Sequence, residues 1–489
     1  MHSLSNYINE LNRFSGATNY WFIFLIFAIL PLYYSLRKPW QNIFLIVASY
    51  VFYGFWDYRF LSLVIITTLL NYFFSSKIHR ANDHATKKII LIISLIYNLG
   101  ILGFFKYYNF FITSFIAAFQ SFGFIPHVKI LNIILPLGIS FFTFKIMGYL
   151  VDIYKNKQTP SNLASFALFV SYFPEISAGP IGRAHKFLPQ IERRRLIAKE
   201  QMFAGAQLIL LGLFKKKMIA DAIAPYVDQL YSSPQGFMSV ALLCGMYLYA
   251  LQIYADFSGY TDIVRGISKL LGIEIMENFK QPYLSRGISE FWRRWHISLS
   301  SWLKDYLYIP LGGNRRGDIR TYINLLITML LCGLWHGASW TFVIWGGIHG
   351  IYLTINRYIK DSLNKRGPTE QANYSNVRLI ILILITFHMT SFAWIFFRAP
   401  DLATATSYIF SLFNNISPIN HASTLLIILT LFYTALVLMI DYPSYRADRE
   451  LLVTSETPWL WRGVVYALLI LSITFIGGSY VKPFIYFNF

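Results

Sequence analysis

Long apolar stretches set off by short charged ones dominate this chain. Apolar runs fall at 20–36, 41–56, 58–76, 88–105, 108–124, 130–151, 163–180, 201–220, 236–256, 262–273, 321–334, 336–356, 376–397, 423–440 and 458–479. Several approach the ~20 helical residues needed to span a ~30 Å hydrocarbon core. Strands of a membrane barrel would be short and would alternate in polarity, so runs of this length predict helices. Other runs are short for a full span. The pattern therefore predicts about 11–14 crossings, with the remaining runs re-entrant or lying in the interface. The longest polar loops, 181–200 and 357–378, are too short to be soluble domains, and no internal repeat is evident. The expected fold is an all-α polytopic membrane protein forming a single domain over 1–489. Within it, 1–125 supplies peripheral helices, 130–400 the core, and 401–489 further helices and an aromatic tail.

The polar positions orient the chain. Basic clusters stand at 37–38, 77–88, 183–199 and 357–378, and the positive-inside rule places all four in the cytoplasm. Two runs separate the first pair and four the second, so those parities agree. Five lie between Lys199 and Arg357, an odd count that predicts one re-entrant run there and irregular backbone at membrane depth. The same count puts both termini outside. The N-terminal stretch is polar through Asn19, with no basic region before the run at 20–36 and no small-x-small site after it, which predicts an uncleaved first span. Segment 280–305 mixes Arg and Trp at a density no free span would carry. It is expected to be an interfacial amphipathic helix, Arg heads at the phosphates and Trp rings at the boundary.

Composition agrees with this reading. The 489 residues are 56% hydrophobic, 18% aromatic and 13% charged, against about 25% charged in an average soluble domain. The net charge of +19 suits cytoplasmic loops and anionic headgroups better than nucleic acid. The two cysteines, Cys244 and Cys332, lie in apolar runs with no disulfide or zinc spacing.

The candidate chemistry lies where charge is scarcest. No charged side chain occurs between Arg320 and Arg357, yet His336 and His349 do. An ionisable residue at membrane depth is a functional-site hypothesis, and His changes charge near neutral pH. His336 stands between Trp335 and Gly337-Ala338-Ser339, small residues that allow close approach of a substrate chain. It is the prime candidate for a general base or a nucleophile; a structural histidine between helices is the plainer alternative. His296 follows Arg293 and Arg294. Asp305 is nine residues on and, if the helix continues, ~180° away, so it is a poor direct partner. His349 would sit ~140° and ~20 Å from His336 on one continuous helix, which suits a structural or gating role. No i, i+4 histidine spacing or nearby acidic ligand supports a metal. Walker loops, dinucleotide fingerprints and the Gly-x-Ser-x-Gly elbow are absent. Asp256 and Asp262 are expected to be buried and paired with a neighbouring Arg or Lys, with Arg265 close in sequence. Tyr486 is either part of an aromatic anchor or a phenol able to enter the site. A transporter or export-assembly subunit using histidine as a proton relay is the rival class, although no paired broken helices in related halves are seen.

Ten segments together carry a resemblance. They are SYVFYGFWD (49–57), FKYYNF (105–110), LPLGISFFTF (135–144), AGPIGR (178–183), GLFKKK (212–217), YADFSGYTDI (254–263), FWRRWHISLS (291–300), LWHGA (334–338), WIFFRA (394–399) and FIYF (484–487). The chain resembles the membrane-bound O-acyltransferase family almost end to end, in the bacterial subgroup of alginate and peptidoglycan O-acetylation proteins. Glu175 precedes AGPIGR where relatives often carry a more apolar stretch. The resemblance implies helices around a tunnel or funnel joining both membrane faces. It implies His336 as the catalytic histidine and His296 at the second active-site position. It implies no bound cofactor, acetyl-CoA as a cytoplasmic donor, an extracytoplasmic polysaccharide acceptor, and a periplasmic SGNH-type transferase as partner in a bacterial inner membrane.

Overall fold

The computed structural model describes residues 29–124, 126, 128–364, 376–449, 453–454, 457–476 and 482–485, and every regular element among them is helical. The chain forms two compact units, one of 20–205 with 267–276, the other of 1–19, 206–266 and 277–489.

The first unit begins with α1 (Lys38–Arg80), which joins two runs expected to be separate across a kink at Asp57 (φ −161°, ψ 107°). The Asp57 carboxylate takes the backbone N–H and the guanidinium of Arg59, each at 2.9 Å, fixing the kink locally. α2 (His84–Leu102) starts where the Asp83 side chain accepts the Thr86 N–H at 2.7 Å, an N-cap. A π-turn at Gly103–Tyr107 carries it into α3 (Tyr108–Gln120), so the runs 88–105 and 108–124 are also one stretch. Buried Asn71 of α1 and Asn98 of α2 exchange amide hydrogen bonds of 3.1 and 2.7 Å, the kind of polar contact that joins helices in lipid.

α4 (Ile139–Tyr154) starts nine residues later than the run at 130–151. Gly138 precedes it in the left-handed region, where any Cβ would lie 1.7 Å from the Ile176 carbonyl oxygen. The run 163–180 is not a crossing. It divides into α5 (Leu163–Ser171) and the four-residue α6 (Phe173–Ile176), followed by α7 (Ala184–Ile191). Nine helical residues reach only ~14 Å. Glu175 in this broken stretch is met by Lys145 at 2.6 Å, both side chains buried. That pairing is how a carboxylate is accommodated in this buried stretch.

α8 (Lys199–Phe214), a π-turn at Lys215–Asp221 and α9 (Ala222–Ser232) follow. α10 (Ser239–Leu270) fuses the runs 236–256 and 262–273. The aspartates that divided those runs do not break the helix, because Lys216 meets Asp256 at 2.8 Å and Lys215 meets Asp262 at 2.7 Å. The fusion makes the count between Lys199 and Arg357 even, while α1 makes the count between 37–38 and 77–88 odd, so the parity argument loses its premise for the re-entrant run and for the termini alike.

Segment 280–305 is not one interfacial helix. It contains α11 (Ile288–Arg294) and α12 (Ile297–Leu303), and Trp292, Trp295 and Trp302 between them are buried in protein. α13 (Asp318–His336) and α14 (Trp340–Asn364) form a hairpin. A Cβ at Gly333 would lie 2.1 Å from the Phe342 carbonyl oxygen, and one at Gly346 2.2 Å from that of Met329. Only glycine lets these backbones touch. α15 (Asn376–Arg398), α16 (Leu402–Asn414), α17 (His421–Ala447) and α18 (Trp459–Leu471) complete the described elements.

Six helices among the described residues are long and apolar enough to cross a membrane: α1, the α2–α3 stretch, α10, α13, α15 and α17. Their outer faces show large apolar side chains such as Ile96, Ile380, Leu384 and Phe432, as lipid contact requires.

Candidate functional site

His336 is the last residue of α13, and the extended backbone of Gly337 ends the helix there. The hairpin then folds α14 back, so that Trp345 closes on the same imidazole from the other arm. The His336 ring lies 5.1 Å from Trp335, 5.1 Å from Trp345 at 90°, and 5.3 Å from Phe397 of α15. It is 2% exposed.

His296 arrives from the α11–α12 break. Its backbone is left-handed (φ 44°, ψ 54°), a conformation that costs a residue with a Cβ roughly 1–2 kcal/mol. Asn278 holds the turn. Its carbonyl takes the Ile297 N–H and its side-chain oxygen takes the Ser298 N–H, both at 3.0 Å. The same side-chain oxygen stands 3.4 Å from His296 Nδ1. An amide oxygen can only accept, so Nδ1 carries the proton and Nε2 the lone pair. His296 lies outside the spanning helices, and burial pushes its pKa down to about 3, which keeps the imidazole neutral and basic in form at working pH.

The two rings are brought together, with centroids 6.0 Å apart. Trp335 touches His296 at 5.8 Å, and Phe257 of α10 meets it edge-on at 4.8 Å. His349 is not on a helix continuous with His336, because the chain turns at 337–339; it still does not pair with it. Trp345 lies against both, 4.9 Å from His349, whose Nδ1 accepts the Trp292 indole N–H at 3.3 Å. Ser339 stays in the hairpin turn, its hydroxyl 3.0 Å from that of Thr341.

The charged candidates lie elsewhere. Arg293 is exposed, and so is Asp305 on the π-turn Lys304–Tyr308, whereas His296 is fully buried. Arg294 binds Glu290 at 2.9 Å and the Lys280 carbonyl at 3.0 Å. They flank His296 in sequence, but the buried edge of α11 carries Trp292 and its polar edge carries the arginines. Asp256 and Asp262 are paired with Lys216 and Lys215. Tyr486 lies outside the described residues. Among the described residues no group of three or more His, Cys, Asp or Glu could hold a metal ion.

Sequence reading missed Asn278, Phe257, Trp345 and Phe397. Asn278 stands 18 residues before His296 with no local signal. Trp345 was visible as an aromatic in the apolar segment, but its position between two histidines depends on the hairpin. The surroundings so built are aromatic and buried, with two imidazoles among the rings. They are suited to moving a proton as an acyl group changes partners.

Residues 150–397, which include His296, His336 and His349, match the model of the membrane-bound O-acyltransferase family. The chain is 37% identical to the probable alginate O-acetylase AlgI of Pseudomonas putida, over 96% of this chain and 99% of that protein. It is 34% identical to the peptidoglycan O-acetyltransferase of Helicobacter pylori, over 95% and 96% respectively. It is 30% identical to the teichoic acid D-alanyltransferase of Bacillus subtilis, over 56% and 71%.

Proposed function

We propose, from the premise that this chain belongs to the membrane-bound O-acyltransferase family, that it carries acetyl groups from cytoplasmic acetyl-CoA to a polysaccharide outside the bacterial inner membrane. Family membership makes the chain an acyltransferase, which removes the transporter reading. The names of its two full-length relatives share O-acetylation of a polysaccharide, alginate in one and peptidoglycan in the other. A polymer of that kind is the proposed acceptor, reached directly or through a periplasmic SGNH-type partner.

The observation that carries the reading is the His336–His296 pair, 6.0 Å apart among buried aromatic rings. His336 acts as the base. With Tyr486 as carrier, His336 takes the phenolic proton and the phenolate oxygen bonds to the thioester carbonyl carbon. The C–S bond breaks, and the CoA thiolate recovers the proton from the imidazolium. The products are O-acetyltyrosine and free CoA. An acceptor hydroxyl then attacks the aryl ester and the tyrosine recovers its proton. A phenol with pKa near 10 is a better leaving group than an alkanol, so the ester stays reactive. His296 stays neutral and offers a hydrogen-bond acceptor beside the base, held in one tautomer by Asn278.

Purified wild-type protein given acetyl-labelled acetyl-CoA tests the donor and the carrier. The expected result is CoA release with label on Tyr486, and label on polysaccharide when acceptor and partner are added. No CoA release under any of these conditions would overturn the donor assignment. Full polymer labelling by Tyr486→Phe would overturn the carrier.

A further inference from the structure

The proposed chemistry leaves a buried charged cluster on α10 and the turn before α9 unused. Lys216, on the π-turn after α8, binds Asp221 and Asp256 at 2.8 Å each, and all three side chains are under 5% exposed. Burying ions is expensive, and such pairs are weak stabilisers in themselves. This cluster does something further: it holds main chain. Lys216 Nζ donates to the Lys482 carbonyl at 2.9 Å, and Asp256 accepts the Ile485 N–H at 2.8 Å. Between those two points the Phe484 ring lies 4.6 Å from the Lys216 ammonium and 4.8 Å from the Tyr260 ring. The Lys482 side chain is tied to Asp228, which Arg398 also binds.

The anchorage is close to the histidines. Asp256 and Phe257 are adjacent on α10, and Phe257 is the ring packed 4.8 Å from His296. Consecutive helical residues differ by 100° and 1.5 Å along the axis, on a helix ~10–12 Å across. One turn of α10 thus carries both the grip on 482–485 and the ring that walls His296. Tyr486 is next in sequence, its Cα about 3.8 Å from that of Ile485.

We propose that Lys216 and Asp256 form a main-chain clamp on 482–485 and are positioning residues for acetyl transfer at Tyr486. The inference rests on the carrier reading above. The clamp takes the carbonyl of one residue and the N–H of the third residue after it. It therefore fixes the register of the segment without reading its side chains, and register is what a carrier needs to present its phenol to a fixed base.

The test uses the full chain and two variants. Ile485→Pro deletes the clamped N–H, along with the Ile485 side chain and the freedom of φ there, and Asp256→Asn removes the accepting charge. The readout is the ratio of acetyl on Tyr486 to total CoA released. A lost charge-assisted hydrogen bond gives about a tenfold effect, and a fall of that order in the ratio is expected for both variants. A purely structural role would lower yield or total turnover and leave the ratio unchanged, which would overturn the proposal. A second measurement keeps the clamp separable from the carrier. Ile485→Cys, in a background with Cys244 and Cys332 replaced by Ala, should react slowly with maleimide and faster once Asp256→Asn is added. Equal reactivity would overturn the clamp itself. Faster reaction with no acetyl on Tyr486 in the wild-type protein would overturn the carrier reading and, with it, the positioning role.

Discussion

His296 keeps a left-handed backbone although it carries a full side chain. Strain of this kind persists where the surroundings over-determine it, and here Asn278 makes three of the determining contacts. Asn278→Ala should therefore lower kcat for acetyl transfer about 10–100-fold, the effect of losing two or more hydrogen bonds that orient a working group. Unchanged kcat would show that His296 needs no such support. The histidines themselves could be read from the sequence, because an ionisable residue in an apolar stretch is visible without a structure. The conformation of His296 and its dependence on Asn278 could not, since neither leaves a periodic trace. Arg293, Arg294 and Asp305 stand near His296 in sequence, yet Arg293 and Asp305 are exposed and Arg294 is held by Glu290.

At the scale of elements, the site depends on how closely α13 and α14 approach. Gly346 touches backbone, whereas a Cβ at Gly347 would meet only the Leu330 side chain, at 3.5 Å. The two neighbouring glycines should therefore behave differently. Gly346→Ala should destabilise the purified protein by more than ~2 kcal/mol, and Gly347→Ala should be neutral or stabilise it by up to ~1 kcal/mol through helix propensity. Thermal unfolding in detergent decides, and equal effects would remove the hairpin from the account. Hydropathy located most helices, but it misjudged their joins. It split α10 at Asp256 and Asp262, because partners 40 and 47 residues away in sequence neutralise those charges. It ran through 163–180, where Tyr172 and Pro174 break the helix into pieces.

For the molecule as a whole, the proposed transfer across a membrane requires that donor and acceptor meet the site from opposite sides. α13 and α14 form a hairpin, so the exposed loop at 314–320 and the far end of α14 should share a face. Cysteines at Arg316 and Lys360 should both react with an impermeant maleimide only from the cytoplasmic side; labelling from opposite sides would contradict the orientation. The all-helical membrane fold and the acyltransferase family were both legible in the sequence. The division into two compact units was not, because the second unit is assembled from segments far apart in the chain. The most direct test of the central claim is CoA release from labelled acetyl-CoA by purified His336→Ala and His349→Ala beside the wild type. His336→Ala should lose 10²–10⁴-fold in rate, roughly the contribution of a general base, with its thermal unfolding close to wild type, and His349→Ala should keep the larger part of the activity. A folded His336→Ala protein that releases CoA at the wild-type rate would contradict the account.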